Sequence, residues 1–373
     1  MLKDGIPIGR IFGISVRLHY SWFVIFALVI WSLAADYFPA VYPQWGISVA
    51  IAAGVITSLL FFASLLAHEL THSLVAQRHG IPVKSITLFL FGGVSQISEE
   101  PREARTEFLI AIVGPLMSLF LGGVFWLLWV FLPPQLDILA AISFWLGWIN
   151  IALAVFNMVP GFPLDGGRVL RAAIWWRTRD LNMATRIALN VGRGVGYLLM
   201  AAGAWVGLTG NWSSGLWLAL IGWYLAATAA GSYRYTSLQQ ALEGHSVSEV
   251  VSDCVAVPPD LSIERLVDEY IVPTGRRCFI VVREGITVGL VSLQEVKGVL
   301  RDMRSRISVS QVMKPLDKLK RVSPADDLST ALNILTQENL NQVPVMVDER
   351  MVGMVTREDL AAYLKQNGRK GTR

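Results

Sequence analysis

Six long apolar stretches dominate the first two thirds of this 373-residue chain. A helix needs roughly 20 apolar residues to cross a bilayer. Stretches of about that length lie at residues 20–36, 47–75, 108–131, 136–158, 187–208 and 216–233. The charged residues, 16% of the chain, are concentrated in its last third. We therefore expect a polytopic α-helical membrane domain of six transmembrane helices, residues 1–237, followed by a water-soluble domain.

Lys and Arg are unevenly distributed between the connections that join these stretches. They precede the first stretch and occupy the second and fourth connections, whereas residues 37–46, 133–135 and 209–215 contain neither. Because basic loops stay in the cytoplasm, both termini of a multi-pass protein of the cell membrane are predicted to be cytoplasmic. The first stretch lacks a small-residue cleavage site and is interpreted as a retained anchor. The net charge of +4 follows from this topology, so no nucleic-acid partner is predicted.

The second apolar stretch contains two histidines and a glutamate: His68, Glu69 and His72. Residues four apart lie on one face of a helix, so both imidazoles can reach a single metal ion. Glu69 lies beside the pair, where a metalloprotease needs its general base. Two core histidines and a capping glutamate are the alternative. Ionisable groups inside a membrane are energetically costly and usually functional, which favours the metal site.

A catalytic zinc ion usually has three protein ligands, and the third candidate is Asp165. It follows a segment rich in Pro and Gly, residues 158–164, that breaks the fourth helix. Irregular backbone at membrane depth is tolerated where protein or a water-filled cavity surrounds it. The second and fourth stretches cross the membrane in the same direction, so all three candidates lie on the cytoplasmic side. For Asp165 alone, a turn residue or helix cap is the alternative.

The motifs at residues 68–72 and 157–166 together resemble the site-2 protease family of intramembrane zinc metalloproteases. The resemblance covers residues 1–235 and implies one zinc ion held by His68, His72 and Asp165, with Glu69 activating the water. It also implies that Asn157 binds the substrate carbonyl or its oxyanion, although a satisfied helix-end amide explains this residue equally well. The implied substrate is a membrane-anchored protein, cut within or near its transmembrane segment.

Residues 83–94 combine β-branched and aromatic side chains and end near glycines, a pattern typical of strands. In site-2 proteases this region supplies a sheet edge beside the metal. Gly92, Gly93 and Val94 are therefore predicted to bind an unwound substrate segment by strand addition, and a hairpin that merely packs is the alternative. The Gly114-Pro115 pair also resembles a family feature, though a helix kink without a chemical role explains it equally well.

The last third of the chain contains an internal repeat. Residues 246–251 recur 62 residues later at 308–313, and residues 288–296 recur 64 residues later at 352–360. Each copy alternates short β-branched runs with amphipathic helical stretches, which predicts duplicated α/β units. The copies, residues 246–304 and 308–366, resemble a tandem pair of CBS domains, and the second is the closer match. Residues 367–373 are predicted to form a disordered tail.

CBS pairs commonly bind adenine nucleotides in the cleft between repeats, and the resemblance assigns Asp359 to the ribose and Thr356 to the phosphate. The first repeat has Ser292 and Glu295 at the corresponding positions, which puts a second nucleotide in doubt. A homodimerisation module without a ligand is the alternative. If a nucleotide binds, we expect it to gate substrate access by favouring one arrangement of the chain.

Two other functions stay open for the sequence. A CBS-regulated transporter or channel would use the intramembrane polar cluster to line an ion path. A catalytically inactive scaffold would keep only the fold. The transporter does not explain the joint metal motifs, and the intact Glu69 argues against the scaffold. We therefore predict an intramembrane zinc metalloprotease regulated by its CBS pair.

Overall fold

The computed structural model describes residues 5–90, 92–97, 101–210, 212–252, 254–276, 278–315, 319–337, 340–347 and 350–368. The chain divides into two compact units, the membrane unit Met1–Tyr233 and the second unit Arg234–Arg373. Residues 369–373, most of the tail predicted to be disordered, lie outside the described residues.

Six helices of the described residues are long and apolar enough to cross a membrane, which confirms the predicted number. They are Tyr20–Val41, Ile47–Arg78, Ala104–Phe131, Asp137–Asn157, Leu181–Leu208 and Ser214–Leu242. Most of them continue past the predicted apolar stretch, because backbone hydrogen bonding propagates a helix into polar sequence.

The first eight helices are α1 (Tyr20–Ser32), α2 (Phe38–Val41), α3 (Ile47–Arg78), α4 (Ala104–Phe131), α5 (Asp137–Asn157), α6 (Asp165–Thr178), α7 (Leu181–Leu208) and α8 (Trp212–Leu242). A π-helical segment, Leu33–Tyr37, joins α1 to α2. The prolines that follow α5 cannot continue a helix, so α5 ends at Asn157. Asp165 begins α6, where its negative charge is favourable at the helix N-terminus.

A four-stranded sheet completes the membrane unit, in the order β1 (Gly5–Ile11), β2 (Ile14–His19), β3 (Val83–Phe89) and β4 (Gly92–Ile97). The central pair β2–β3 is parallel and the two outer pairs are antiparallel. The predicted strands at residues 83–94 are confirmed, whereas β1 and β2 are additional. Their sequence signal is a two-residue turn, Phe12-Gly13, with positive φ at both positions, between alternating apolar runs.

The sheet packs against α3, the helix that contains the two histidines. Ile14 of β2 and Ile86 of β3 are fully buried in one cluster with Phe62 and Leu65 of α3. Among the described residues, β4 is the end strand of the sheet, and its outer edge pairs with no strand. Within the part of the chain that the structure describes, β4 therefore has an unpaired edge, and this strand contacts α3.

The second unit consists of small strands and helices. One sheet has the order β5 (Val255–Val257), β6 (Cys278–Arg283), β7 (Ile286–Ser292), β8 (Lys314–Pro315), and a second pairs β9 (Gln342–Val347) with β10 (Arg350–Thr356). The helices are α9 (Ile263–Arg265), α10 (Val272–Thr274), α11 (Leu293–Lys297), α12 (Val309–Val312), α13 (Leu328–Gln337) and α14 (Arg357–Gly368).

Matching helix starts make the internal repeat visible in the structure. The Ser246 N–H donates to Glu249 Oε1 at 2.9 Å, and the Ser308 N–H donates to Gln311 Oε1 at 3.0 Å. Each is half of a capping box at the equivalent point of its repeat. The hairpin and helix β6-β7-α11 likewise correspond to β9-β10-α14. The predicted tandem α/β architecture is confirmed.

Candidate metal centre

The structure brings together the three residues predicted as metal ligands. Asp165 Oδ2 lies 3.1 Å from His68 Nε2 and 3.2 Å from His72 Nε2, and the two Nε2 atoms are 3.1 Å apart. Each residue is at most 9% exposed. Helix α3 supplies both histidines one turn apart, and the break after α5 allows α6 to begin at the same point.

The spacing of these three atoms suits a tetrahedral zinc ion. Ligand atoms about 2.0–2.1 Å from zinc at tetrahedral corners lie roughly 3.3 Å from one another. Two imidazoles and a carboxylate are also a donor set of catalytic zinc sites. Such close spacing of two imidazole nitrogens and a carboxylate oxygen requires that they share a proton or a metal ion. The residues present therefore fit zinc by chemistry and by spacing.

Helix α4 holds the other ring nitrogen of each histidine. His72 Nδ1 donates to the Ile110 carbonyl at 2.5 Å, and His68 Nδ1 is hydrogen-bonded to Ser118 Oγ at 2.9 Å. A carbonyl oxygen only accepts, so neutral His72 keeps its Nε2 lone pair for a metal. Sequence reasoning misses both supports. Ser118, a small polar residue in an apolar stretch, is the available signal.

Gly114 provides the space in which the two imidazoles meet. A Cβ atom at this position would lie 2.1 Å from His72 Nε2 and 2.7 Å from His68 Nε2. Real Cβ atoms do not approach other atoms so closely, so a side chain here would displace the ligand atoms. The glycine of the Gly114-Pro115 pair therefore has a steric role at this site.

Glu69, the predicted general base, contacts β4. Its Oε2 accepts a hydrogen bond from Ser95 Oγ at 2.9 Å, and Ser95 Oγ accepts one from Ser73 Oγ at 3.1 Å. A Cβ atom at Gly93 would lie 2.4 Å from Glu69 Cγ, so glycine permits this close approach. Gly92 and Val94 flank Gly93 on the same strand, opposite Phe89 and Thr87 of β3.

Asn157, predicted to bind the substrate carbonyl, is the half-buried last residue of α5. Its Nδ2 donates to the Leu153 carbonyl at 3.0 Å. This is the bond expected of a satisfied helix-end amide, and it uses one of the two hydrogens on that nitrogen. The role in substrate binding stays a prediction.

A cavity of about 830 Å³ lies in the second unit, and Ser252, Thr356 and Asp359 contribute to its lining. Asp359 Oδ1 accepts from Ser252 Oγ at 2.9 Å, and Oδ2 accepts from the Thr356 N–H at 2.9 Å. In the first repeat, Glu295 Oε2 accepts from the Ser292 N–H at 2.9 Å in the same way. Both contacts have the form of a capping box, so the nucleotide roles of Thr356 and Asp359 stay predictions.

Known proteins resemble this chain over almost its whole length. The model of Peptidase family M50 matches residues 56–142 and 134–202, and the CBS domain model matches residues 309–366. The chain is 34% identical over 368 residues to Rip3 of Mycobacterium tuberculosis, which covers 97% of this chain and 93% of Rip3. It is 28% identical over 330 residues to the zinc metalloprotease MJ0392 of Methanocaldococcus jannaschii, covering 87% and 90% of the two chains.

Among solved structures, the site-2 protease of Methanocaldococcus jannaschii is similar, with 27% identity and a TM-score of 0.43. The match covers 61% of this chain and 94% of that chain. The M50 match includes both histidines and Asp165, and together with the relatives it confirms the prediction of an enzyme. The chain belongs to peptidase family M50, and it is a multi-pass intramembrane zinc metalloprotease of the site-2 type with a carboxyl-terminal CBS domain.

Proposed function

We propose that the chain hydrolyses a peptide bond within or near a transmembrane segment of a membrane-anchored protein. The observation that carries this proposal is the placement of the candidate ligands. His68 and His72 are buried in a helix long and apolar enough to span the bilayer, and Glu69 beside them contacts the end strand β4. Ionisable groups at such a position favour a substrate that is itself in the membrane.

In this proposal His68, His72 and Asp165 hold one zinc ion per chain. A bound zinc ion supplies Lewis acidity that polarises the scissile carbonyl and the attacking water. Glu69 accepts a proton from that water and returns it to the leaving amine. The hydrogen bond from Ser95 holds the Glu69 carboxylate in one orientation while it does so.

An unwound substrate segment pairs with β4 along Gly92, Gly93 and Val94. The outer edge of this strand offers unpaired backbone N–H and C=O groups among the described residues, and backbone pairing tolerates many side chains. A peptide bond inside an intact helix is hydrogen-bonded and shielded, so the substrate must unwind first. Asn157 uses its second amide hydrogen on the carbonyl oxygen that becomes negative.

The experiment is cleavage of matched membrane substrates by the full chain in lipid vesicles. One single-span substrate has a Gly-Pro pair near the cut, and its partner has Ala-Leu at the same positions. We expect faster cleavage of the Gly-Pro substrate, and Glu69→Gln should lower the cleavage of both substrates by about 10²–10⁴-fold. Cleavage of a soluble unfolded peptide together with no cleavage of either membrane substrate would contradict the proposal.

We also propose that the second unit binds an adenine nucleotide, which gates substrate access to the metal centre. A cavity of about 830 Å³ is in the size range of small-molecule sites. Arg276, Lys297 and Arg357 contribute to its lining and suit a phosphate group. The Asp359 carboxylate, bonded to Ser252 Oγ, would exchange that hydroxyl for those of a ribose.

Calorimetric titration of the full chain with AMP, ADP and ATP tests this regulation. We expect Asp359→Asn to weaken binding at least about tenfold, the loss of roughly one charge-assisted hydrogen bond. Glu295→Gln, the matched change in the first repeat, should bind normally. Absence of binding, with cleavage independent of nucleotide, would favour the homodimerisation module, which light scattering of the purified chain would detect.

We propose that both termini and the second unit are cytoplasmic and that the protein resides in the cell membrane. The support is the placement of Lys and Arg in alternate connections. Cysteines introduced at the exposed positions Gln44 and Arg177 test it. An impermeant maleimide should label the first in intact cells and the second only after lysis, and the reverse pattern would overturn the orientation.

A further inference from the structure

A buried ion pair joins α4 to α6 close to the metal centre. Glu107 is 0% exposed and Arg171 is 6% exposed. Arg171 Nε donates to Glu107 Oε1 at 2.6 Å, and Arg171 Nη2 contacts the same oxygen. A buried charge is costly without its partner, so this pair strongly restrains where the two helices meet.

Glu107 lies on the face of α4 that supports the histidines. Ile110, Gly114 and Ser118 follow it at intervals of three, four and four residues, which places all four on one side of the helix. Ile110 and Ser118 bond to the imidazoles, and Gly114 makes room for them. Glu107 continues this face toward α6, the helix that supplies Asp165.

Arg171 attaches α6 to more than α4. Its guanidinium carbon lies 5.2 Å from the centre of the Phe162 ring, in the segment between α5 and α6. The start of α6 also packs tightly on that segment, because a Cβ at Gly167 would lie 2.3 Å from the backbone of Gly161. One side chain thus joins α4, the connecting segment and the helix that begins at Asp165.

We infer that Glu107 and Arg171 are positioning residues for the metal ligand Asp165, an inference that rests on the ligand roles proposed above. Arg171 is less than two turns along α6 from Asp165. A slip of one residue moves a helix by about 1.5 Å, whereas metal–ligand distances tolerate only about 0.2 Å. The ion pair fixes the rotation and depth of α6 so that the carboxylate meets both imidazoles.

The alternative is that the pair only fills space between α4 and α6. The apolar double variant Glu107→Leu/Arg171→Met separates the two roles, because a well-packed apolar pair often replaces a buried ion pair without loss of stability. We measure zinc affinity by chelator competition on the full chain in detergent, and melting of the metal-free protein by tryptophan fluorescence. The double variant should melt like wild type and bind zinc about 10- to 100-fold more weakly.

A second variant covers the case in which the double variant does not fold. Glu107→Asp keeps the charge but shortens the side chain by one methylene, and we expect weaker zinc binding near the lower end of the same range. Asp137→Asn, which alters the 2.9 Å hydrogen bond from Trp45 Nε1 elsewhere in the membrane unit, is the control and should bind zinc normally.

The outcomes distinguish this inference from the proposed function. If folded wild type binds no zinc, the proposed metal centre fails and the inference fails with it. If wild type binds zinc and a folded pair variant has the same affinity within twofold, the inference alone is overturned. Weakened binding in a folded pair variant beside a normal Asp137→Asn control supports it.

Discussion

In the membrane unit the acceptor atoms of His68, His72 and Asp165 face one another, whereas in the second unit the Asp359 carboxylate faces donors of its own chain. The first three atoms lie 3.1–3.2 Å apart. Asp359 instead accepts hydrogen bonds from Ser252 and Thr356. The first three atoms must share a proton or a metal ion, whereas a carboxylate satisfied by its own chain requires no ligand. The geometry therefore supports a bound metal ion in the membrane unit more strongly than a bound nucleotide in the second unit.

The hydrogen bonds that orient the candidate site residues also differ between the two regions. Each histidine is held from outside by α4, which leaves the inward nitrogens directed at a common point. The equivalent pairs of the second unit, Thr356–Asp359 and Ser292–Glu295, occur in both repeats at helix starts. A contact that appears in both copies is explained by capping alone. Variants that change metal or nucleotide binding without changing stability test this difference between the two regions.

Glu69→Gln should have the largest effect. It removes the base but none of the three proposed ligands, so cleavage should fall by about 10²–10⁴-fold while zinc content stays at the wild-type level. Activity against a single-span substrate and metal analysis of the same sample measure both quantities. Cleavage close to the wild-type rate would remove Glu69 from the mechanism.

Gly114→Ala should have the next largest effect, because its Cβ would collide with both imidazoles. We expect destabilisation by about 1–3 kcal/mol from overpacking, together with loss of bound zinc. Gly123→Ala in the same helix is the matched control, since a Cβ there meets nothing within 4 Å. Equal zinc content in the two variants would mean that the imidazoles are not confined as described.

Most of the membrane architecture could be predicted from sequence, because crossing a bilayer demands long apolar helices and the His68–His72 spacing is itself geometric. Asp165 required the recognition of a second motif. The place of β1 and β2 in this sheet is harder to predict, since β3, the partner of β2, lies about 70 residues away and that pairing is parallel. Short alternating runs indicate strands but not their neighbours.

The α4 residues that orient the candidate metal ligands could not be predicted from sequence, for a different physical reason. Helical periodicity places Glu107, Ile110, Gly114 and Ser118 on one face of α4, but it does not show which helix that face meets. The Ile110 contact is made by a backbone carbonyl and leaves no trace in the side-chain pattern. Tertiary packing decides both, so the structure is needed to assign them.

Ser118→Ala should weaken zinc binding without removing a ligand. Loss of a group that orients a ligating imidazole reduces metal affinity by about 10- to 100-fold. Chelator competition measures this, with Ser64→Ala as the control, because Ser64 bonds only to its own helix at the Leu60 carbonyl in the described contacts. Unchanged affinity in Ser118→Ala would show that His68 needs no such support.

The smallest effects should be in the second unit. Thr356→Ala and Ser292→Ala each remove a helix cap and should destabilise the unit by about 1 kcal/mol. Burial raises the pKa of the Cys278 thiol, so it should alkylate slowly in the folded unit and rapidly once urea unfolds it. Labelling of Cys278 across a urea series gives the midpoint of unfolding for wild type and for each variant. If Thr356→Ala lowers nucleotide affinity and Ser292→Ala does not, Thr356 contributes to nucleotide binding as well as to helix capping.

The zinc content of the purified full chain is the most direct test of the metal centre, with wild type compared with His68→Ala, Asp165→Ala and the base variant Glu69→Gln. We expect one zinc ion per chain in wild type and Glu69→Gln, and loss of most of it in the two ligand variants. Folded wild type without zinc, or ligand variants that retain it fully, would contradict a metal centre built from α3 and α6.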